Sequence, residues 1–350
     1  MIAARQRRVD LPGLSAAWLA AGIATVVAAG LVALAVGPVD LGLGSITRAL
    51  LSHVPFLHVK SPLSGTEDAV LWQIRAPRVA LGLLVGAMLA SAGAAYQGVF
   101  RNALADPYLL GAAAGAGLGA TLVIAYSHGG ASRDLRPLAA FAGAMLGVGA
   151  AYLLGRSVAG RTTATLILAG VTVASFLTAV QTFVQQQNTD TVQEVYAWIL
   201  GQLETSGWRE VLLALPYMIV SWVVLLVHRR LLDILAVGDE EASSVGVDVA
   251  RVRLVVLAAA TLGTAAAVAF SGLIAFVGII VPHAIRLVVG TSYRIVLPLS
   301  LCFGAAFLVL ADVLARTAVA PAELPIGVVT AFFGAPFFAL VLRTTRVVGP

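Results

Sequence analysis

The side chains best suited to metal binding or nucleophilic chemistry in this chain are five histidines (His53, His58, His128, His228 and His283) and one cysteine, Cys302. The histidines lie in different segments and assemble no metal-ligand set. The one close pair, His53 and His58 in HVPFLH, reads as solvated loop, since lone histidines commonly need no role. A single cysteine closes no disulfide within the chain and builds no cysteine metal site. The phosphate-cradling pattern GxxxxGKS/T does not occur, so ATP is not bound in that way. Ion-coupled transporters place ionisable groups at mid-membrane. Here Asp, Glu and Lys are nearly absent from the centres of the apolar runs, and Asp312 and Glu323 fall near the ends of the last two. A membrane-embedded enzyme would cluster His, Asp or Glu at one depth, and no such cluster is visible. Any energy for work must then enter from elsewhere.

The elements that position these residues follow from composition. Of 350 residues, 60% are hydrophobic and 11% charged, with a mean hydropathy of +0.97. A soluble domain carries about 25% charged residues. Lipid is the solvent that suits such a chain, because a spanning helix satisfies its own backbone and shows apolar side chains outward. A span needs about 20 apolar residues. Such runs occur at 16–36, 79–98, 107–126, 137–155, 164–184, 210–228, 252–270, 273–290, 296–315 and 326–343. They predict one all-α, polytopic membrane domain of about ten helices over residues 1–350. The first run is longer than a signal peptide's apolar core and reads as a retained helix. The Gly- and Ala-rich third run predicts a helix buried among others.

The net charge of +5 does not point to nucleic acid, because the arginines sit scattered at the ends of apolar runs. With both termini in the cytoplasm, fourteen of the 22 basic residues fall on inside segments and eight outside, as the positive-inside tendency favours. Two hydrophilic stretches remain. Outside, 185–208 has helical spacing over Thr191 to Leu203. Inside, the loop 229–251 predicts two short helices with a break near Val245–Gly246–Val247.

Several segments together are recognisable: QIRAPR (73–78), GVFRNALADPYLLG (98–111), AVGDEEASSVGV (236–247), GLIAFVGIIVPHAIRLVVG (272–290) and PAELPIGVVTAFFGAPFF (321–338). In order and spacing they resemble the FecCD-type permease family of type II ABC importers for iron-siderophores, haem and vitamin B12. The resemblance runs from about residue 70 to the C-terminus. It implies a multi-pass protein of the bacterial cytoplasmic membrane that forms a homodimer around a translocation path. Two ATP-binding cassette ATPase subunits would bind it on the inside, and an extracytoplasmic substrate-binding protein on the outside. ATP and Mg would reside on the ATPase, with no cofactor and no catalysis on this chain. Ferric siderophore ranks first as cargo, ahead of haem and vitamin B12. An ion-coupled secondary transporter is the alternative of another class.

The resemblance also assigns residues. Arg75, Arg78 and Arg316 are expected to receive carboxylates of the binding protein, for which guanidinium forks are suited; helix-end snorkelling is the plain alternative. Gly238, Asp239, Glu240, Glu241, Ala242, Ser243, Ser244, Val245 and Gly246 are expected to contact the ATPase. Thr162, Thr163 and Ala164 are expected at a cytoplasmic gate. Family members that carry vitamin B12 have a serine where this chain has Ala164. Glu323 reads as structural, a helix-start anion or a partner for Arg316.

Overall fold

Small, apolar residues let the helices of this chain approach closely, and the bundle is organised by where those residues fall. The computed structural model describes residues 14–345 apart from 38, 40, 54, 55, 57, 58, 128, 129, 158–162, 204 and 206. In chain order the α-helices are α1 (Ala16–Ala35), α2 (Leu43–Ser52), α3 (Gly65–Ala69), α4 (Ala76–Phe100), α5 (Ala112–Tyr126), α6 (Gly130–Ser157), α7 (Thr163–Gln187), α8 (Val192–Ile199), α9 (Arg209–Val237), α10 (Asp239–Ser244), α11 (Val249–Ser271), α12 (Val277–Val288), α13 (Tyr293–Thr317) and α14 (Ile326–Thr345). Among the described residues there is no strand. Among the described residues seven helical spans are long and apolar enough to cross a bilayer, and α5, α12 and the stretch Ile326–Val341 of α14 are shorter apolar ones. Together they make the ten membrane helices.

Helix α4 is the hub. It is buried along nearly its whole length and packs against α9, α11, α12 and α13. Glycines set those contacts. A Cβ on Gly86 would collide with the carbonyl of Gly304 in α13, and one on Gly93 with the backbone of Gly278 in α12. A second group forms where Gly115 of α5 meets Gly143 of α6, with α7 packed on both. Without side chains at the crossing, backbones meet directly and dispersion does the holding that hydrophobicity cannot do in lipid. By contrast α7 is as apolar as its neighbours, yet only 11% of its most apolar stretch is buried.

Three departures of the helix boundaries from the apolar runs bear on the site. The second span starts earlier: α3, a π-helical turn (Val70–Arg75) and α4 form one continuous helix from Gly65. Ser64 begins it with a reciprocal cap, its hydroxyl accepting from Glu67 N–H while Glu67 accepts from Ser64 N–H. The sixth span runs on to Val237, so much of the expected inside loop 229–251 is helix, and α10 is bracketed by Gly238 and the turn at Val245–Val247. The eighth span is broken. Residues 272–275 are not helical, and α12 starts only after Phe276, which has φ 71°.

Candidate functional site

The chemistry of this bundle is concentrated at its two ends and in the break between α11 and α12. At one end, the last carbonyls of α1 have no helical partners of their own and are taken by arginines. Arg75, 5% exposed, donates to the carbonyls of Leu34 at 2.8 Å, Ala35 at 3.1 Å and Val39. Arg316 donates to Val36 O at 3.1 Å and Ala33 O at 3.2 Å. Both side chains therefore fasten α1 to the bundle.

Asp312, one turn before Arg316 on α13, is 2% exposed and lies between two guanidinium groups. Arg316 Nε is 3.0 Å from Asp312 Oδ2. Arg78 offers Nη2 to Oδ1 at 2.9 Å and Nε at 3.2 Å. The other edge of Arg78 holds Glu323, with Nη1 to Oε1 at 3.1 Å and Nη2 to Oε2 at 2.7 Å. Glu323 thus pairs with Arg78 rather than serving as a direct partner of Arg316. A polar cavity of about 420 Å³ opens beside Arg78, with Gln202, Thr205 and Arg209 among its walls. Further ion pairs, Arg136–Glu194 at 2.7 Å and Arg209–Asp134 at 2.5 Å, tie α6 to α8 and α9 at this end.

At the opposite end, α10 is held by its first residue. Asp239 Oδ1 lies 2.7 Å from Arg253 Nη2 on α11 and 3.2 Å from Arg101 Nη2, just past α4. Arg101 has φ 48°, the left-handed turn that ends α4. Asp233, near the end of α9, caps α13: its carboxylate accepts from Ser292 Oγ at 2.8 Å and Tyr293 N–H at 2.6 Å. Arg286 bonds Gln97 of α4 and the Tyr293 hydroxyl at 3.3 Å. Within α10, Ala242 is buried, while Glu240, Glu241, Ser243 and Ser244 face out, as do Val245 and Gly246 in the turn that follows. The sequence puts Asp239 in the inside loop but does not show that Arg101 and Arg253 meet it. Charge type and side were legible; the pairing was not.

Thr163 opens α7 half-buried and Ala164 is exposed; Thr162 lies outside the described residues. Higher in the bundle, the broken eighth span is held by a residue remote in sequence. The Tyr108 hydroxyl donates to Ile274 O and accepts from Ile274 N–H, both at 3.2 Å. Asp106 orients Tyr108 by accepting its N–H at 2.8 Å, and burial pushes the Asp106 carboxyl up to about 6. Gly201, Gly272 and Gly327 close the other side: Gln202 N–H bonds Ser271 O at 2.8 Å, and Gly327 N–H bonds Leu200 O at 3.0 Å. The end of α8, the break and the start of α14 are thereby joined through backbone. The break leads inward from the cavity beside Arg78, lined in part by Gly272, to Gly278 of α12, which touches Gly93, about 26 Å along α4 from its start at 1.5 Å per residue.

Comparison with known proteins places this geometry. A family model described as the FecCD transport family matches residues 25–344. The cobalamin import system permease protein BtuC of Halobacterium salinarum is 39% identical, over 95% of this chain and 97% of that protein. The hemin transport system permease protein HmuU of Yersinia pestis is 37% identical, over 89% of this chain and 93% of that protein. A solved inward-facing structure of a metal-chelate type ABC transporter superposes with a TM-score of 0.80 at 28% identity, covering 93% of this chain and 98% of that one.

Proposed function

The chain belongs to the FecCD transport family, a permease of a type II ABC importer for metal chelates, and we propose that its own cargo is a ferric siderophore. It is a transport subunit of the inner membrane rather than an enzyme, and its family implies an ATPase and a binding protein as partners. The observation that carries the importer reading is the family match over nearly the whole chain, with charged apparatus at both ends of an apolar bundle.

In the proposed arrangement both termini face the cytoplasm and two copies form a homodimer around the path. The α7 face left uncovered within one chain supports that pairing. The end carrying Arg75, Arg78 and Arg316 faces outward and receives the carboxylates of the binding protein. The end carrying residues 238–246 meets two ATPase subunits, which hold ATP and Mg. Thr162, Thr163 and Ala164 form the inner gate. ATP binding and hydrolysis alternately open the two ends. The chain contributes a shaped, weakly binding path, since a route that must release a large chelate cannot hold it tightly.

An ion-coupled mechanism is not favoured. Asp312 is already committed to Arg78 and Arg316, and the matched relatives are import-system permeases and an ABC transporter rather than ion-coupled carriers. Uptake into proteoliposomes containing permease, ATPase and binding protein tests the proposal, with labelled ferric siderophore, haem and vitamin B12 offered separately. ATP-dependent uptake of ferric siderophore alone is expected. ATP-dependent uptake of another chelate replaces the cargo, and uptake driven by an ion gradient without the ATPase overturns the importer reading.

A further inference from the structure

The three arginines at the outward end are not equivalent. Arg75 and Arg316 spend their donors on the carbonyls of α1. Both are also largely enclosed, Arg75 at 5% and the Arg316 side chain at 9% exposed. Arg78 has no such carbonyl contact. One edge is fixed on Asp312, which is 2% exposed and also held by Arg316. The other edge holds Glu323, which is 52% exposed and follows the turn at the end of α13. The Arg78–Glu323 contact is a two-point fork, the geometry a carboxylate from any other chain would adopt. The polar cavity beside Arg78 gives a second carboxylate room to approach.

We infer that Arg78 is the residue that accepts the partner's carboxylate, and that Glu323 is an internal placeholder which that carboxylate displaces. This rests on the docking reading above. The exchange leaves the charge on Arg78 balanced at every stage. Asp312 keeps the guanidinium in place while the outer partner changes. An exposed ion pair contributes little, so the displacement is easily reversed. Release of Glu323 also frees the turn that leads into α14, so docking is felt at the start of a helix joined to the broken span.

The test measures binding of the transport system's own binding protein to the permease–ATPase complex in nanodiscs. Parent, Glu323→Gln, Arg78→Lys and the double variant are compared, each first shown to assemble by size-exclusion chromatography. Removing the placeholder should tighten docking roughly two- to five-fold, the range an exposed ion pair can supply. Lysine keeps the charge beside Asp312 but cannot form the fork, so Arg78→Lys should weaken docking. In that background Glu323→Gln should bring no gain. An equal gain in both backgrounds would show that Glu323 acts only through the general field, and would overturn the inference. Unchanged or weaker docking of Glu323→Gln would overturn it too. A parent complex that binds no binding protein would instead bring down the docking reading itself.

Discussion

Two carboxylates share the guanidinium of Arg78, and burial alone should decide how much each matters to stability. Asp312 is almost wholly enclosed, while Glu323 is half in solvent. Replacing Asp312 with Asn keeps the shape and removes the charge. It leaves Arg78 with Glu323, and leaves Arg316 with only the carbonyls of Ala33 and Val36. Breaking one side of a buried ion pair costs about 3–5 kcal/mol, because the remaining charge stays desolvated. With Glu323 still in place the lower end applies, about 3 kcal/mol. Glu323→Gln should cost only about 0.2–1 kcal/mol. The assay is thermal unfolding of the purified permease in detergent. At about 2 °C per kcal/mol, Asp312→Asn should lower the melting temperature by about 6 °C, and Glu323→Gln by 2 °C or less. Equal shifts for the two variants would refute the reasoning, since they would mean that enclosure does not set the strength of this network.

Asp239→Asn removes the charge that ties α10 to Arg101 and Arg253; the assembled complex should still hydrolyse ATP, with uptake per ATP falling several-fold in reconstituted vesicles. Gly93→Leu places a side chain where α4 meets the backbone of Gly278. Overpacking a tight site typically costs about 1–3 kcal/mol, and here no flexible atom can yield, so loss of folded protein on size-exclusion chromatography is expected. Asp106→Asn keeps an acceptor for Tyr108 N–H and removes a carboxyl whose folded pKa, about 6, lies above its ordinary 3.8. A raised folded pKa contributes stability in acid that is lost as pH rises through about 6. The variant should therefore match the parent below pH 4 and gain on it above pH 6, read from melting temperatures across that range.

The bundle was legible because lipid imposes one simple demand, long apolar runs, and each of the ten runs contains a helix. The demand is silent about backbone. Nothing in the apolar letters of GLIAF marks the break before α12, where the backbone of Ile274 is paired by a tyrosine hydroxyl more than 150 positions away. The start of the second span was missed for the opposite reason. Gly65–Asp68 is polar, and a cap at Ser64 rather than hydropathy begins the helix there. The arginines at that end of the bundle can be read from the sequence by type and position. Their partners cannot, since Arg78 and Asp312 are 234 residues apart and the carbonyls that bind Arg75 and Arg316 carry no letter in the sequence. A guanidinium at a helix end reads the same whether it waits for a partner or already has one.

The break between α11 and α12 changes what motion requires. Within a continuous membrane helix every carbonyl is locked to its own ladder, and bending it exposes several polar groups to hydrocarbon at once. Around Ile274 the backbone is lent its partners by one phenol. The connection is a joint rather than a rod. Swinging α12 about it would exchange two hydrogen bonds, each contributing about 0.5–1.5 kcal/mol net, and would also part the Gly93–Gly278 backbone contact that seats α12 on α4. The joint is soft in its hydrogen bonds, and the packing of α12 on α4 is what holds its position.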